Sequence, residues 1–219
     1  QWGLATLRGR RAAVAFAAGN WDTAREIWEE TLAEHGRAGN VVGLLSAQTG
    51  LLELALASED LDAAEAILAE ARQTARDADM GPWETSFLFH EAEIALKRGN
   101  PGWAREALDR FLLPGQLSIR TYRAQVRYAE ALAMEGRLAE AADRLETSLE
   151  ALEEWRSCLD AVGLQRYAFQ IGEYLPDPDL GVASILAAMA RDGLDERAFN
   201  LAERQKARLL FEKMILAEI

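Results

Sequence analysis

Cysteine, histidine and proline are all scarce in this chain of 219 residues. It contains one cysteine, two histidines and five prolines. A single cysteine cannot form an intrachain disulfide, so we expect a reducing, cytoplasmic location. Three cysteines and histidines in total are too few for a four-ligand zinc site of these residue types. The small number of prolines leaves little room for long disordered segments.

Positive charge is also in short supply. Lysine and arginine total 24, whereas aspartate and glutamate total 36, giving a net charge of −12. Nucleic acids and anionic membrane surfaces are both bound by basic faces, so we expect neither as a partner. No apolar run reaches about 18 residues, so we predict no membrane span. Half of the residues are apolar, mostly alanine and leucine, which is typical of a helical core.

Motifs for catalysis and cofactor binding are missing as well. The chain has no glycine-rich phosphate loop, no G-x-S-x-G and no H-E-x-x-H. A nucleophile pair of Cys158 and His90 is conceivable, but Cys158 stands among apolar positions of a predicted long helix, where cysteine is usually a small buried hydrophobe. We therefore predict no enzyme activity, no metal and no cofactor within these residues.

The informative feature of the chain is a turn that recurs five times. Each copy is a hexamer that joins two apolar helical patterns and ends in alanine, and four of the five begin with glycine. A glycine in the left-handed conformation ends the first helix. The small alanine then lets two helices approach closely. The repeated alanines are separated by 40, 40, 37 and 57 residues, and they are Ala24, Ala64, Ala104, Ala141 and Ala198.

Hydrophobic periodicity gives the bounds of the helices and predicts no strands. The first helices are predicted at Leu4–Ala18, Val41–Ala57, Trp83–Arg98 and Thr121–Glu135. The second helices are predicted at Trp21–Glu34, Leu61–Arg76, Gly102–Leu112 and Leu138–Asp160. Residues 1–150 are interpreted as four hairpins, and residues 151–219 as a long-helix extension, a proline-containing loop and a last hairpin. The predicted fold is all-α, a right-handed superhelix of helix hairpins.

The turn, its alanine and the apolar residue four positions later resemble the tetratricopeptide repeat (TPR). The spacing is nearer 40 residues than the 34 of that family, and a first-helix Trp-x-x-Leu-Gly is not evident. HEAT-type helical repeats have a similar period, but the fivefold recurrence of the turn favours the TPR interpretation. The resemblance implies an α-solenoid that binds a protein or peptide in the concave groove of its first helices.

A second resemblance lies near the end of the chain. The run Arg197–Phe211 is similar to the last TPR hairpin of CHAT proteins, bacterial TPR proteins that carry a caspase-like domain. The run Leu152–Leu159 also resembles the long helix of that family. The resemblance implies the regulatory segment of a protease-like protein. The catalytic residues of that family would lie after Ile219, so none is assigned here.

A group of arginines is the first candidate binding site. Arg120, Arg123 and Arg127 share one face of the fourth first-helix, where they could hold a carboxylate or an acidic peptide by bidentate hydrogen bonds. The alternative is an ordinary solvated basic face that balances an acidic chain.

A group of glutamates is the second candidate. Glu53, Glu93 and Glu130 each lie eleven residues before a repeated alanine, in three successive repeats. On neighbouring helices they could form an acidic ladder for a basic ligand. The alternative is again a solvated helix face.

Tryptophans and the final helix complete the sequence predictions. Trp21, Trp28 and Trp103 lie at or near the repeated turns, and we interpret them as packing residues rather than as a ligand cage. The final helix, predicted over Asp195–Ala217, is apolar over more than one face. Because a terminal repeat normally has a polar outer face, we expect a downstream domain or a second subunit to cover it.

These patterns together predict a non-enzymatic scaffold that binds a protein or a peptide. The resemblance to CHAT proteins implies that it regulates a protease-like domain. The alternative is the ligand-sensing or peptide-sensing TPR module of a bacterial transcriptional regulator. An attached helix-turn-helix domain would distinguish that alternative.

Overall fold

The computed structural model describes residues 2–112, 119–157, 179–204 and 206. Within these ranges the chain is helical, with short turns and no strand, as predicted. The helices are α1 (Trp2–Ala17), α2 (Trp21–Ala38), α3 (Val41–Ala57), α4 (Leu61–Asp77), α5 (Gly81–Lys97), α6 (Pro101–Phe111), α7 (Ile119–Met134), α8 (Leu138–Ser157) and α9 (Asp179–Arg191). A further helical stretch, named here the C-terminal segment, covers residues 195–204. The proline-containing loop and Cys158 lie outside the described residues.

The chain divides into two compact units, Gln1–Arg98 and Gly99–Ile219. In the first unit α1 pairs with α2 and α3 with α4, while α2 packs on α3 and α4 on α5. The first helices α1 and α5 also contact α3. In the second unit α6 packs on α7, α7 packs on α8, and α9 contacts both α7 and α8. The division by repeat type, between residues 150 and 151, stays a prediction.

Backbone hydrogen bonds close the hairpin turns in a common way. In the first turn the Gly19 N–H donates to the Phe16 carbonyl (2.9 Å), and the Asn20 N–H donates to the Ala15 carbonyl (2.8 Å). The same pair of bonds closes the second and fourth turns. This closure needs one left-handed residue. Gly19 supplies it with a φ of 77°, and Glu59 adopts it with a φ of 59° in the turn that lacks glycine.

All five repeated alanines are buried at equivalent positions, which confirms the central sequence prediction. Each is at most 6% exposed, and its N–H donates to the carbonyl four residues earlier, in the first turn of a second helix. Positions are counted below from these alanines, so the residue four places later is at +4. The +4 residues of the first four repeats are also buried, and they are Trp28, Leu68, Leu108 and Leu145.

Two glycines allow α3 to approach α2 closely. A Cβ atom on Gly50 would lie 2.2 Å from the Trp28 ring, and one on Gly43 would lie 2.4 Å from the His35 ring. Each ring therefore fills the space that a glycine leaves open. Asn40 caps α3 by accepting a hydrogen bond from the Gly43 N–H (3.2 Å), and its amide nitrogen lies 3.1 Å from His35 Nδ1. The cap and the interlocked ring thus support each other.

Each unit buries its own apolar side chains. In the first unit, one cluster surrounds Trp28 and another joins side chains of α3, α4 and α5. In the second unit, a cluster is built by α7, α8, α9 and the C-terminal segment, and it includes Val126, Leu145, Ile185, Met189 and Leu201. The C-terminal segment is therefore anchored on α8 and α9.

The tryptophan prediction is wrong for Trp103, which is 75% exposed. Trp28 is buried, as predicted, and Trp21, although 42% exposed, packs at the turn with its ring 6.4 Å from the Phe16 ring. Trp103 immediately precedes the buried Ala104, and successive helical residues point about 100° apart. The tight packing of Ala104 therefore directs the Trp103 side chain away from the core.

Candidate protein-binding faces

One face of α3 stays open after its neighbours have packed. Helix α3 contacts α1, α2, α4 and α5, and its buried apolar side chains include Leu45, Leu52 and Leu54. Ser46, Thr49 and Glu53 are spaced by three and four residues, so they lie on one stripe of the helix. Ser46 is exposed and the other two are half-buried. These residues occupy positions −18, −15 and −11.

The same positions on α5 continue this face. They hold Ser86, Phe89 and Glu93, of which Phe89 is buried and the other two are half-buried. Because α3 and α5 pack against each other, equivalent positions on the two helices lie on the same side of the first unit. The polar members of the two stripes are named here the acidic face, and they are Ser46, Thr49, Glu53, Ser86 and Glu93.

A buried amide lies next to the acidic face. Gln48 is only 2% exposed, and neither atom of its amide group has a hydrogen-bond partner among the described residues. Leaving a buried polar group without a partner costs about 1–3 kcal/mol. Gln125 occupies the same position, −16, in α7. Neither glutamine was among the sequence predictions, although their shared position is visible in the sequence.

Helix α7 brings the two predicted charged groups together in the second unit. Arg127 Nη1 lies 2.8 Å from Glu130 Oε2, and the two side chains are 23% and 24% exposed. One member of the predicted basic stripe therefore neutralises one member of the predicted acidic ladder. Arg123 is half-buried on the same helix, and the side chain of Arg120 lies outside the described residues. The roles of these residues in binding stay predictions.

Ion pairs link second helices to the residue that immediately follows the next first helix. Glu65 at +1 pairs with Arg98 (3.1 Å) in the first unit, and Arg105 at +1 pairs with Glu135 (3.0 Å) in the second. Both partners lie at −6, so the contact between +1 and −6 recurs in the two units with the acid and the base exchanged. Hydrogen bonds to Asp62 and Glu65 raise the pKa of Arg98. Exposed pairs of this kind contribute little stability, but they mark a recurring contact.

Arg197 fixes the C-terminal segment to α8. Its Nε donates to Glu146 Oε1 (2.6 Å) and its Nη2 donates to Asp143 Oδ1 (2.5 Å). The hydrogen bond from Arg197 lowers the pKa of Glu146. Seven residues later, Arg204 donates to Glu153 (3.2 Å). This contact was not among the sequence predictions, although the two arginines and the two glutamates that they contact are each seven residues apart.

Both histidine side chains are buried and pack against neighbouring residues. His35 packs on α3, and His90 lies with its ring 5.8 Å from the Phe89 ring and 6.3 Å from the Phe87 ring. Both histidines are 6% exposed. Among the described residues, no three histidine, cysteine, aspartate and glutamate side chains gather as metal ligands do. Nor does any helix in those ranges have both the length and the apolar character that crossing a membrane requires.

Comparison with solved structures identifies the fold. The chain is similar to the nearly identical TPR-like repeats of a protein described as a putative kinesin light chain from Podosopora anserina. That crystal structure gives a TM-score of 0.58 at 16% identity, covering 97% of this chain and 95% of the other. A second crystal structure, of a variant of the same repeats, gives 0.59 at 16% identity, covering 97% and 94%. The fold is therefore a TPR-like α-solenoid. No protein-family model matches the sequence, and no curated protein matches it.

Proposed function

We propose that this chain is a non-enzymatic scaffold whose acidic face binds a basic segment of a partner protein. The observation that carries the proposal is the placement of Glu53 and Glu93. They occupy the same position on α3 and α5, two first helices that pack against each other. Two carboxylates held on a rigid helical surface can bind lysine or arginine by charge-assisted hydrogen bonds.

The spacing of the helices suggests the form of the ligand. Packed helix axes lie about 8–10 Å apart. An extended polyproline II segment rises about 3.1 Å per residue with three residues per turn, so residues i and i+3 lie on one side, about 9 Å apart. The two glutamates thus match an Arg-x-x-Arg segment in this conformation.

A binding measurement with defined peptides tests this proposal. Fluorescence anisotropy would compare a labelled proline-rich peptide containing Arg-x-x-Arg with a matched peptide containing Glu-x-x-Glu. The basic peptide is expected to bind, and the Glu53→Gln/Glu93→Gln variant is expected to bind it at least about tenfold more weakly. The control is Glu26→Gln/Glu70→Gln, which changes the same charge on α2 and α4. Equal affinity for the two peptides, or equal loss in the two variants, would refute the acidic face as the site.

The basic stripe is the proposed contact for an acidic group in the second unit. Arg120, Arg123 and Arg127 are its proposed donors, because their spacing places them on one face of α7. Charge reversal of Arg123 should then weaken binding of an acidic peptide and leave the basic peptide unaffected. Equal binding of the acidic peptide before and after the change would rule the stripe out.

The wider setting is also a proposal. The similarity of the run Arg197–Phe211 to CHAT proteins supports a regulatory role toward a protease-like domain, and the single cysteine supports a cytoplasmic location. Sequencing the gene downstream of the codon for Ile219 tests the first point. A caspase-like domain encoded there would support it, whereas a helix-turn-helix domain would favour a transcriptional regulator.

A further inference from the structure

The outer side of α1 exposes a position that is buried in the repeats that follow. Val14, at −10, is 61% exposed. The residues at −10 in α3, α5 and α7 are Leu54, Ile94 and Ala131, and each is at most 6% exposed. Leu54 packs in a cluster with Ala24 and Trp28 of the preceding second helix. The side of α1 that carries Val14 is therefore the side on which a second helix packs in the later repeats.

The C-terminal segment exposes the matching side of a second helix. Its residue at +1 is Phe199, which is 64% exposed. The corresponding residues Glu65 and Arg105 contact the −6 residue of the next first helix. The side of the segment that carries Phe199 is therefore the side on which a further first helix would pack.

Contacts within the chain show which residues would meet if these two sides packed together. In both units the residue at +1 of a second helix contacts the residue at −6 of the next repeat. The same contact between two copies would bring Phe199 to Ala18, which lies one turn from Val14. The residue at +5 contacts the residue at −13 of the next repeat: the hydroxyl of Tyr128, at −13, donates to Oδ2 of Asp109, at +5 (3.4 Å). The same rule would bring Glu203 to Arg11. Both contacts are complementary, one apolar and one between opposite charges.

The surrounding charges are complementary as well. Helix α1 contains three arginines and no acidic residue. The C-terminal segment exposes Asp195, Glu196 and Glu203, while its arginines at 197 and 204 bond to acids of α8. Lys206 is an exposed cation near this side, and its Nζ lies 3.5 Å from Glu203. A basic helix without acids and a predominantly acidic segment would attract each other during encounter.

We propose that two copies of this chain associate head to tail, with α1 of one molecule packing on the C-terminal segment of the other. The contact joins different surfaces on the two molecules, so it is heterologous and can be repeated by further copies. It goes beyond the proposed binding of a basic segment, because it uses neither Glu53 nor Glu93. The peptide experiment can therefore fail while this contact is found, and the reverse also holds.

Sedimentation velocity of the 219-residue chain over a range of concentrations tests the proposal. The average mass is expected to rise with concentration up to about 100 µM, and the rise is expected to weaken with added salt. Val14→Asp is expected to weaken self-association at least about tenfold. Val42→Asp is the matched control, because Val42 is another exposed valine, 47% exposed, at the start of α3. Circular dichroism would confirm that both variants are folded.

Charge exchange tests the orientation of the contact. Arg11→Glu and Glu203→Arg should each weaken self-association, because each brings like charges together. In an equimolar mixture, every contact between unlike variants pairs opposite charges, so the mixture should recover association beyond the dimer, and the double variant should recover it as well. Growth beyond the dimer distinguishes a head-to-tail contact from a symmetric one, which would stop at the dimer.

Three results would overturn the proposal. The first is a monomer at every concentration tested. The second is self-association that Val14→Asp and Val42→Asp weaken equally, which would place the contact elsewhere. The third is a failure of the mixed charge variants to combine, since complementary charges would then not be what joins the two surfaces.

Discussion

Two interfaces in the first unit solve the same packing problem with opposite arrangements. Where α2 meets α3, a large ring on the second helix, Trp28, fills the space left by Gly50. The equivalent residues where α4 meets α5 lie 40 positions later, and they are Leu68 and His90. The ring is therefore on the second helix in one interface and on the first helix in the other.

The neighbouring pair of positions shows the same exchange. His35 on α2 fills the space left by Gly43, whereas Ala75 on α4 stands at the position equivalent to His35, and Trp83 on α5 at that of Gly43. Both interfaces thus pair a large residue with a smaller one. If α2 packed on α5 instead, rings would meet rings, and overpacking is destabilising. This reversal of large and small residues therefore favours packing of α2 on α3 over packing of α2 on α5.

The edges of the two interfaces differ in polarity. Arg72 on α4 pairs with Glu91 on α5 at 2.6 Å. The equivalent residues on α2 and α3 are Leu32 and Leu51, which are both half-buried. Each position thus accepts either an ion pair or an apolar pair. What the two interfaces share is complementarity within each pair, and the residue types themselves are free to vary.

The largest expected effect comes from adding a single methyl group between α2 and α3. Gly50→Ala should lower the free energy of unfolding by about 2–3 kcal/mol, because the new Cβ atom would overlap the Trp28 ring and force it to move. This loss should exceed the gain of about 1 kcal/mol from replacing glycine with alanine inside a helix. Urea denaturation measures the change.

Two further variants make this measurement decisive. Gly9→Ala is the control, because no atom lies within 4 Å of the added methyl group in α1, so the variant should be slightly more stable than the original chain. Combining Gly50→Ala with Trp28→Leu should cost at least about 1 kcal/mol less than the sum of the two single changes. Additive losses would show that the ring and the glycine are not coupled.

The repeat could be predicted from the sequence, but the pairing of large and small side chains across the interfaces could not. The alanine of each turn was found because it is repeated, and repetition can be recognised without coordinates. Gly50 and His90 are equivalent in structure, but they differ so much in size that no pattern joins them. The same limit applies to the sites: Glu53 and Glu93 were found from equal spacing, whereas the bond between Arg197 and Glu146 depends on how the C-terminal segment packs on α8.

The next effect in size concerns the charged contact between α8 and the C-terminal segment. Arg197→Ala should lower the free energy of unfolding by about 1–2 kcal/mol at neutral pH, because its bonds to carboxylates are partly shielded from solvent. Arg191→Ala, an exposed arginine at the end of α9, should have little effect. The size of this loss, compared with that of Gly50→Ala, shows whether a charged contact can stabilise as much as an apolar one.

The pH dependence of this loss identifies its origin. Arg197 lowers the pKa of Glu146, so the stabilisation is complete above the pKa that this carboxyl has in the unfolded chain. It is lost as the pH falls through the lower pKa of the folded state. The difference in stability between the original chain and Arg197→Ala should therefore shrink below about pH 4. A difference that stays constant down to about pH 3 would assign the loss to packing of the arginine stem.

The smallest expected effect comes from replacing the ion pair between α4 and α5 with a pair of leucines, as found at the equivalent positions of α2 and α3. Arg72→Leu alone should lower the free energy of unfolding by at most about 1 kcal/mol, because the Arg72 and Glu91 side chains are 24% and 40% exposed. Adding Glu91→Leu should restore stability or raise it, since replacing an ion pair by a packed apolar pair is often neutral or favourable. Leu32 and Leu51 already show that the repeat accommodates two leucines there. If the double variant were less stable than either single one, the two interfaces would not be interchangeable at their edges.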